Sequence, residues 1–227
     1  MNVAIVVAAG KGTRLGGNRA KQFLEIGGIP IIIHTLRQFE RSREIDEVIA
    51  VLPSEEVAGF CSLAQPYQLE KLLRAVPGGP TRARSVLGGL ASIRDAEIVA
   101  VHDGVRPFVT PAEIDATVRM ARTKGAAILT ALVTDTIKEI DAARVIRTLP
   151  RANLQRALTP QCFRFDILKR AYDALNEVEA AGIEVTDDSI LVERLGVEIA
   201  VVNGSERNLK ITKPEDLVLA ERLLETV

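Results

Sequence analysis

Tryptophan is absent from this chain, aromatic residues make up 4% of it, and it has two cysteines and two histidines among 227 residues. A core without large rings must be built from Val, Ile, Leu and Ala, as in α/β proteins with buried parallel strands, and 47% of the residues are apolar. Cys61 and Cys162 stand far apart, outside any C-x-x-C pair and among apolar neighbours. Neither a zinc site nor a disulfide framework is written there, and both read as small buried side chains in a reducing compartment. Net charge is lacking too: 29 basic and 30 acidic side chains leave -1, which argues against nucleic acid as a bulk partner. No run approaches the roughly 20 apolar residues of a membrane span. The apolar start from Val3 to Ala9 lacks the basic flank of a signal segment and reads as a first buried strand. The expectation is a cytoplasmic protein with no nucleic-acid or membrane partner.

What is present is a strand-helix alternation. A chain of this length buries about 70% of its unfolded surface in one core, so a single domain over 1–227 is expected. Buried-strand runs fall at Val3 to Ala8, Val48 to Leu52, Ile98 to His102, Ala127 to Val133 and Ile199 to Val202. Helical patterns fall between them at Ile31 to Phe39, Thr81 to Ile93, Pro111 to Thr123, Phe165 to Ala181 and Pro214 to Leu224. Pro111 and Pro214, each followed by acidic residues, mark helix starts. The alternation predicts an α/β fold with a mostly parallel sheet covered on both faces and ligands beyond the carboxyl ends of its strands. One region breaks the rhythm: 135–159 holds two polar segments, Thr136 to Ile140 and Val145 to Leu149, around Asp141-Ala142-Ala143. A hairpin with so little apolar surface needs support, so it is read as an arm that packs on a second copy of the chain.

The densest motif is Val6 to Gly16, VVAAGKGTRLG, running on to Lys21-Gln22. An apolar strand empties into glycines whose exposed N–H groups suit phosphate oxygens, and Lys11, Arg14, Arg19 and Lys21 add positive charge. A P-loop is excluded, because Gly12 rather than Ser or Thr follows Gly10-Lys11 and Ile5 stands where its first glycine belongs. A dinucleotide fingerprint fits poorly, because Leu15 occupies its third small position and no acidic residue ends the second strand. What remains is Ala-Ala-Gly-x-Gly-x-Arg-x-Gly followed by Lys-Gln, which resembles the loop of sugar-phosphate nucleotidyltransferases.

Five further segments carry chemistry-bearing residues. His102 to Phe108, HDGVRPF, ends a buried strand. There Asp103 can accept from a sugar hydroxyl or help hold Mg²⁺, and Arg106 can fork onto a phosphate. The alternative is an Asp103–Arg106 ion pair that only fixes a turn. His102 and His34 are read as structural. Gly78-Gly79-Pro80-Thr81-Arg82-Ala83-Arg84-Ser85 is a glycine turn opening a helix, where anions are favoured. Arg151 with Arg156 to Gln161, then Thr186-Asp187-Asp188, then Asn208 to Leu217 complete the set. Taken singly, these three read as salt-bridged surface, a helix cap and a strand end.

Taken in order, the six segments resemble the 2-C-methyl-D-erythritol 4-phosphate cytidylyltransferase family over nearly the whole chain. The resemblance implies a Rossmann-like nucleotidyltransferase fold with a protruding β-arm, a homodimer through that arm, and CTP with methylerythritol phosphate as substrates. It implies a CTP pocket of Ala8, Ala9, Gly10, Gly12, Gly79, Arg82, Ser85 and Asp103, with Arg14 and Lys21 on the triphosphate. The acceptor would be held by Asp103, Arg106, Thr136, Arg151, Thr159, Thr186 and Lys210, with Arg151 and Lys210 placing the attacking phosphate. Arg14, Lys21, Arg151 and Lys210 are thus the expected catalytic residues. Mg²⁺ would be held mainly by the triphosphate, with Asp103 as its protein ligand. Ala20 stands where the family usually has proline, Gly104-Val105 where Ala-Ala is commoner, and Pro80 where an acidic residue is often found. Val105 leans toward the related ribitol 5-phosphate cytidylyltransferases, whereas the run from Arg151 to Gln161 and Thr186-Asp187 lean back. A non-catalytic nucleotide-binding module is disfavoured because every expected cation is present.

Overall fold

The computed structural model describes residues 1–10 and 20–225. The chain runs β1 (Asn2–Val7), β2 (Glu25–Ile26), β3 (Ile29–Pro30), α1 (Ile31–Arg41), β4 (Glu47–Leu52), α2 (Val57–Ala64), β5 (Leu72–Pro77) and α3 (Arg82–Ala91). It continues β6 (Ile98–Asp103), α4 (Pro111–Lys124), β7 (Ala126–Leu132), β8 (Lys138–Asp141), β9 (Arg144–Thr148) and β10 (Gln155–Arg164). It closes with α5 (Phe165–Asp173), α6 (Leu175–Ala180), α7 (Ser189–Glu193), β11 (Ala200–Asn203) and α8 (Pro214–Leu224).

Seven strands form the main sheet in the order β11-β7-β10-β6-β1-β4-β5. All neighbours are parallel except β10, which runs antiparallel to both β6 and β7. The strands read as continuous apolar runs because both faces are covered. Along β1, Ala4 and Val6 join one core cluster with Phe39 of α1, Phe60 of α2 and Val118 of α4. Ile5, between them, points to the opposite cluster, where Val86 of α3, Leu168 and Tyr172 of α5 and Val192 of α7 pack. The side chains of a strand alternate between faces, so a slip of one residue in register would exchange the two clusters. The start of α4 follows its sequence signal: Thr110 and Glu113 form a reciprocal cap around Pro111, and Gly125 at φ 92° ends the helix.

From β1 the chain goes outward to β4 and then returns to the other side of β1 as β6, whose register sets Val7 beside Asp103. A crevice opens where strand order reverses in this way, outside the carboxyl ends. The end of β1, with Ala8 to Gly10, and the end of β6, with Asp103, therefore meet there.

Three expectations change. The helix expected over Phe165 to Ala181 is two, broken at Ala174, and the break lets Leu175 and Val178 pack on the same cluster as Leu168 and Tyr172. Cys61 is exposed, not buried, although Cys162 is fully enclosed. Phe60 and Ala64, one turn apart, take the inner face of α2, and Cys61 lies a step of about 100° away from Phe60. Finally, residues 155–159, expected in the arm, open β10 of the main sheet. The arm itself is the β8–β9 hairpin, a two-stranded sheet that pairs with no other strand among the described residues. Its Ile140, Val145 and Ile146 are 63%, 56% and 53% exposed, three large apolar side chains left uncovered on a ribbon that is marginal by itself.

Candidate active site

A cleft of about 440 Å³ opens at the carboxyl ends of β1 and β6. One wall is Ala8, Ala9 and Gly10 where β1 ends, a second is Gly79, Arg82 and Ser85 at the start of α3, and Lys21, Gln22, Asp103 and Lys210 complete it. The glycine turn before α3 has to come close: a Cβ on Gly78 would lie 2.2 Å from that of Ala9, and one on Gly79 2.6 Å from that of Arg84. Thr81 caps the helix by accepting from the Arg84 N–H at 3.1 Å. The Ser85 hydroxyl accepts from the Gly79 N–H at 3.1 Å and donates to the Thr81 carbonyl at 2.9 Å. The first turn of α3 is therefore a fixed edge of the cleft.

A second cleft of about 230 Å³ shares Arg82, Asp103 and Lys210 with the first and adds Arg106, Thr159, Gln161, Thr186 and Asp187. Asp103 is the hinge between them. Its Oδ1 accepts from Arg82 Nε at 3.0 Å, and its Oδ2 meets Lys210 Nζ at 2.9 Å and Arg106 Nε at 3.4 Å. Burial alone would raise the Asp103 pKa, but Arg82, Lys210 and Arg106 outweigh it and hold the carboxyl well below the ordinary carboxylate range. Burial pulls the Arg106 pKa down, partly opposed by Asp103. For Arg82 burial is overcome by Asp188 and Asp103, and its pKa is raised. With Asp188 also paired to Arg82, these three cations meet two carboxylates, and the one positive charge left over suits a phosphoryl group.

Hydrogen bonds join the segments that looked separate in the sequence. Arg106 Nη1 donates to the Asn208 carbonyl at 2.8 Å, and Asn208 Nδ2 donates to the Thr159 carbonyl at 2.9 Å. Gln161 Oε1 accepts from the Asp188 and Ser189 N–H groups at 3.0 Å each, while its Nε2 donates to Asp187 at 2.8 Å. Asp188 in turn accepts from Arg82 Nη2 at 2.8 Å. The Asp103–Arg106 pair does fix its turn, yet it also forms part of this larger network. The last three segments, which singly read as caps and surface, contribute Thr159, Gln161, Thr186, Asp187 and Lys210 to the walls.

His102 is structural, as expected. Its Nε2 lies 3.2 Å from the Arg106 carbonyl, which can only accept, so Nε2 carries the hydrogen and Nδ1 accepts from the Thr159 hydroxyl at 3.0 Å. Thr159 Oγ1 also accepts from the Asp103 N–H at 3.1 Å. The donor of this hydroxyl is spent, and toward a ligand Thr159 can only accept. His34 is held likewise, by Nε2 to the Ile26 carbonyl at 2.9 Å.

Of the expected nucleotide residues, Ala8, Ala9, Gly10, Lys21, Gly79, Arg82, Ser85 and Asp103 share the first cleft. Of the expected acceptor residues, Asp103, Arg106, Thr159, Thr186 and Lys210 share the second. Thr136 and Arg151 line neither. Both are exposed at the foot of the arm, where Arg151 Nη1 donates to the Thr134 carbonyl at 2.5 Å. Gly12 and Arg14 lie outside the described residues, as do Lys11 and Arg19.

The family model described as IspD, 2-C-methyl-D-erythritol 4-phosphate cytidylyltransferase, matches residues 2–226. The chain belongs to this family. A 2-C-methyl-D-erythritol 4-phosphate cytidylyltransferase from Clostridium novyi is 41% identical, over 100% of this chain and 97% of that one. One from Bacillus licheniformis is 40% identical over 99% and 96%. Among solved structures, 4-diphosphocytidyl-2C-methyl-D-erythritol synthase from Anaerococcus prevotii superposes with a TM-score of 0.86 at 32% identity, covering 99% of this chain and 96% of its own. The 2-C-methyl-D-erythritol 4-phosphate cytidylyltransferase of Thermus thermophilus gives 0.77 at 33%, covering 99% and 100%.

Within this cytidylyltransferase the sequence reading missed Gln161, Asp188, Asn208 and Tyr172 as parts of the site's framework. Gln161, Asp188 and Asn208 sit inside segments already singled out, and a buried partner for each could have been sought there. Tyr172 carries no local signal at all. The cytidylyltransferase also holds a pH-sensitive group at the site's base. Burial lowers the His102 pKa from 6.5 to about 3, so the fold favours the neutral ring. That contribution is present above pH 6.5 and is lost as pH falls toward 3, because the unfolded chain takes up the proton first. His34, also lowered by burial, acts with the same sign. Replacing His102 by glutamine is therefore expected to flatten the fall in unfolding free energy between about pH 6.5 and 5 by up to one proton's worth, about 1.4 kcal/mol per pH unit. Urea unfolding at several pH values checks this; parallel pH slopes for variant and parent would contradict it.

Proposed function

We propose that this chain transfers the cytidylyl group of CTP to 2-C-methyl-D-erythritol 4-phosphate, giving 4-diphosphocytidyl-2-C-methyl-D-erythritol and pyrophosphate, in non-mevalonate isoprenoid biosynthesis. The observation that carries the reading is the pair of clefts with one shared wall, Arg82, Asp103 and Lys210 being common to both. A nucleotide in the larger cleft and a small phosphorylated polyol in the smaller would meet there. The acceptor phosphate is already an oxyanion, so no protein nucleophile is needed. Its oxygen attacks the α-phosphorus, the bond to the β-phosphate oxygen breaks, and pyrophosphate leaves with the electron pair.

In this reading Lys21, with Arg14, neutralises charge on the triphosphate as it is displaced. Lys210 and Arg151 hold the attacking phosphate in line. Lys210 is paired with Asp103 without substrate, so its ammonium is already oriented at the junction. Among the described residues no group of three or more His, Cys, Asp and Glu side chains is placed to hold a metal. Asp103, with cations on both oxygens, offers at most one further lone pair. That donor set fits a Mg²⁺ held mainly by triphosphate oxygens, with Asp103 alone from the protein. The ion would supply charge neutralisation across the triphosphate. No helix among the described residues is long and apolar enough to cross a membrane, and two cysteines without a disulfide accord with a cytoplasmic enzyme.

We further infer a homodimer in which the arm of one chain completes the partner's acceptor site. Support comes from the exposed Ile140, Val145 and Ile146 and from Thr136 and Arg151, which lie outside the clefts of their own chain. Mixing tests it. Arg151→Ala chains and Lys21→Ala chains, each nearly inactive alone, are expected to regain activity after subunit exchange, because one site of the mixed dimer is intact. No recovery would place Arg151 and Lys21 in the same site of the same chain. For the reaction itself, pyrophosphate release with CTP, Mg²⁺ and 2-C-methyl-D-erythritol 4-phosphate, with the product identified by mass, is the direct test.

A further inference from the structure

Arg82 is held by two carboxylates on one edge of its guanidinium: Nε donates to Asp103 at 3.0 Å and Nη2 to Asp188 at 2.8 Å. Its Nη1 is buried and has no hydrogen-bond partner among the described residues, although Arg82 lines both clefts. Asp188 is fully buried, and its Oδ1 accepts from the Tyr172 hydroxyl at 2.5 Å. Carboxylates tend to take arginine through two parallel N–H bonds. Asp188 does not: its Oδ2 takes Nη2, while its Oδ1 is turned to the Tyr172 hydroxyl and makes no bond to Nη1.

We propose that Tyr172 and Asp188 are positioning residues for nucleotide binding. The phenol of Tyr172 keeps Asp188 to a single bond with Arg82, and so leaves Arg82 Nη1 for a phosphate or ribose oxygen of CTP. The proposal rests on the cytidylyltransferase reading. Tyr172 is buried, lines neither cleft and reaches Arg82 through Asp188. Without the phenol, Oδ1 of Asp188 is released to close a two-pronged pair on Nη1 and Nη2, and the donor meant for the ligand is consumed inside the protein. A buried donor with no acceptor is costly. The ligand-free arrangement therefore keeps a donor in reserve for the bound state, and Tyr172 prevents an internal acceptor from taking it.

The test is CTP affinity by calorimetry, with circular dichroism as the control for folding. Tyr172→Phe, which keeps the ring and removes only the hydroxyl, is expected to weaken CTP binding about tenfold, the weight of one charge-assisted hydrogen bond. A second substitution separates positioning from packing. An asparagine at 188 has one acceptor oxygen and cannot span both guanidinium nitrogens, so Tyr172→Phe/Asp188→Asn is expected to recover most of the lost CTP affinity despite a lower melting temperature. A packing defect would deepen in the double variant. Unchanged affinity in Tyr172→Phe, or a double variant weaker than the single, would overturn the proposal. If Tyr172→Phe alone does not fold, the double variant measured against the parent decides, and a loss beyond about tenfold overturns the proposal. Because the readout needs no acceptor, an error in acceptor identity leaves it intact; a parent chain that binds no CTP overturns this proposal together with the reading on which it rests.

Discussion

Replacing Lys21 by alanine is expected to lower turnover by on the order of 10² or more, the loss typical of removing one preorganised donor from a developing charge. Lys21 opens a short 3-10 turn, Lys21–Phe23, whose Phe23 is buried against Phe60. Phe23 thus ties the backbone of the turn to the core, while Lys21 lines the larger cleft. The substitution removes a charge from the cleft without opening the core, so the fold should survive it. Pyrophosphate release and circular dichroism, measured on the same preparation, check both halves of the expectation. A folded variant within a few-fold of the parent rate would remove Lys21 from the chemistry. Arg14→Ala is expected to behave alike, from the charge of the glycine loop alone.

The second large effect concerns the acceptor. A site that hydrogen-bonds hydroxyls rejects analogues that leave its polar groups unpaired, by factors up to about 10⁴. The smaller cleft offers Arg106 and Lys210 for a phosphate and Thr159 and Thr186 for hydroxyls, with the Thr159 oxygen limited to accepting. 2-C-methyl-D-erythritol 4-phosphate is therefore expected to exceed ribitol 5-phosphate in kcat/KM by a factor approaching that limit. Thr186→Val should narrow the gap by raising KM for the former. Parallel assays of the two acceptors with CTP decide it, and an equal or reversed preference would reassign the substrate. Val105, the residue that leans toward ribitol, lines the larger cleft and not the smaller one, which weakens its bearing on acceptor choice.

Much of this was legible in the sequence because it is local. Buried parallel strands announce themselves as apolar runs, and β1, β4, β6, β7 and β11 lie within a residue of their expected bounds. Pro214 to Leu224 was legible because proline and acidic residues mark its start; Asp216 accepts from the Thr212 and Lys213 N–H groups. The strands that escaped notice lack such signals. β5 is an edge strand with a charged Arg74 in it, and β10 carries Pro160 at a shift in pairing register, where proline argues against a strand. The site was legible as a set of segments but not as a network. The bonds that assemble it join Arg82 to Asp188 across 106 positions and Arg106 to Asn208 across 102, and no local pattern encodes a partner at that distance.

Those spans also fix an order of events during synthesis. A ribosome releases β1, the turn before α3 and the carboxylate of Asp103 well before Asp188, Asn208 and Lys210 exist. Until they emerge, Arg82 has one of its two carboxylates, and Asp103 lacks one of its three cations. The nascent chain can stack four parallel strands, β5-β4-β1-β6, and already carries every residue named for the larger cleft but Lys210, while the smaller cleft still lacks Thr159, Gln161, Thr186, Asp187 and Lys210. The smaller cleft is therefore closed only by residues 157–210, and sheet that forms ahead of them has one cleft before it has the second.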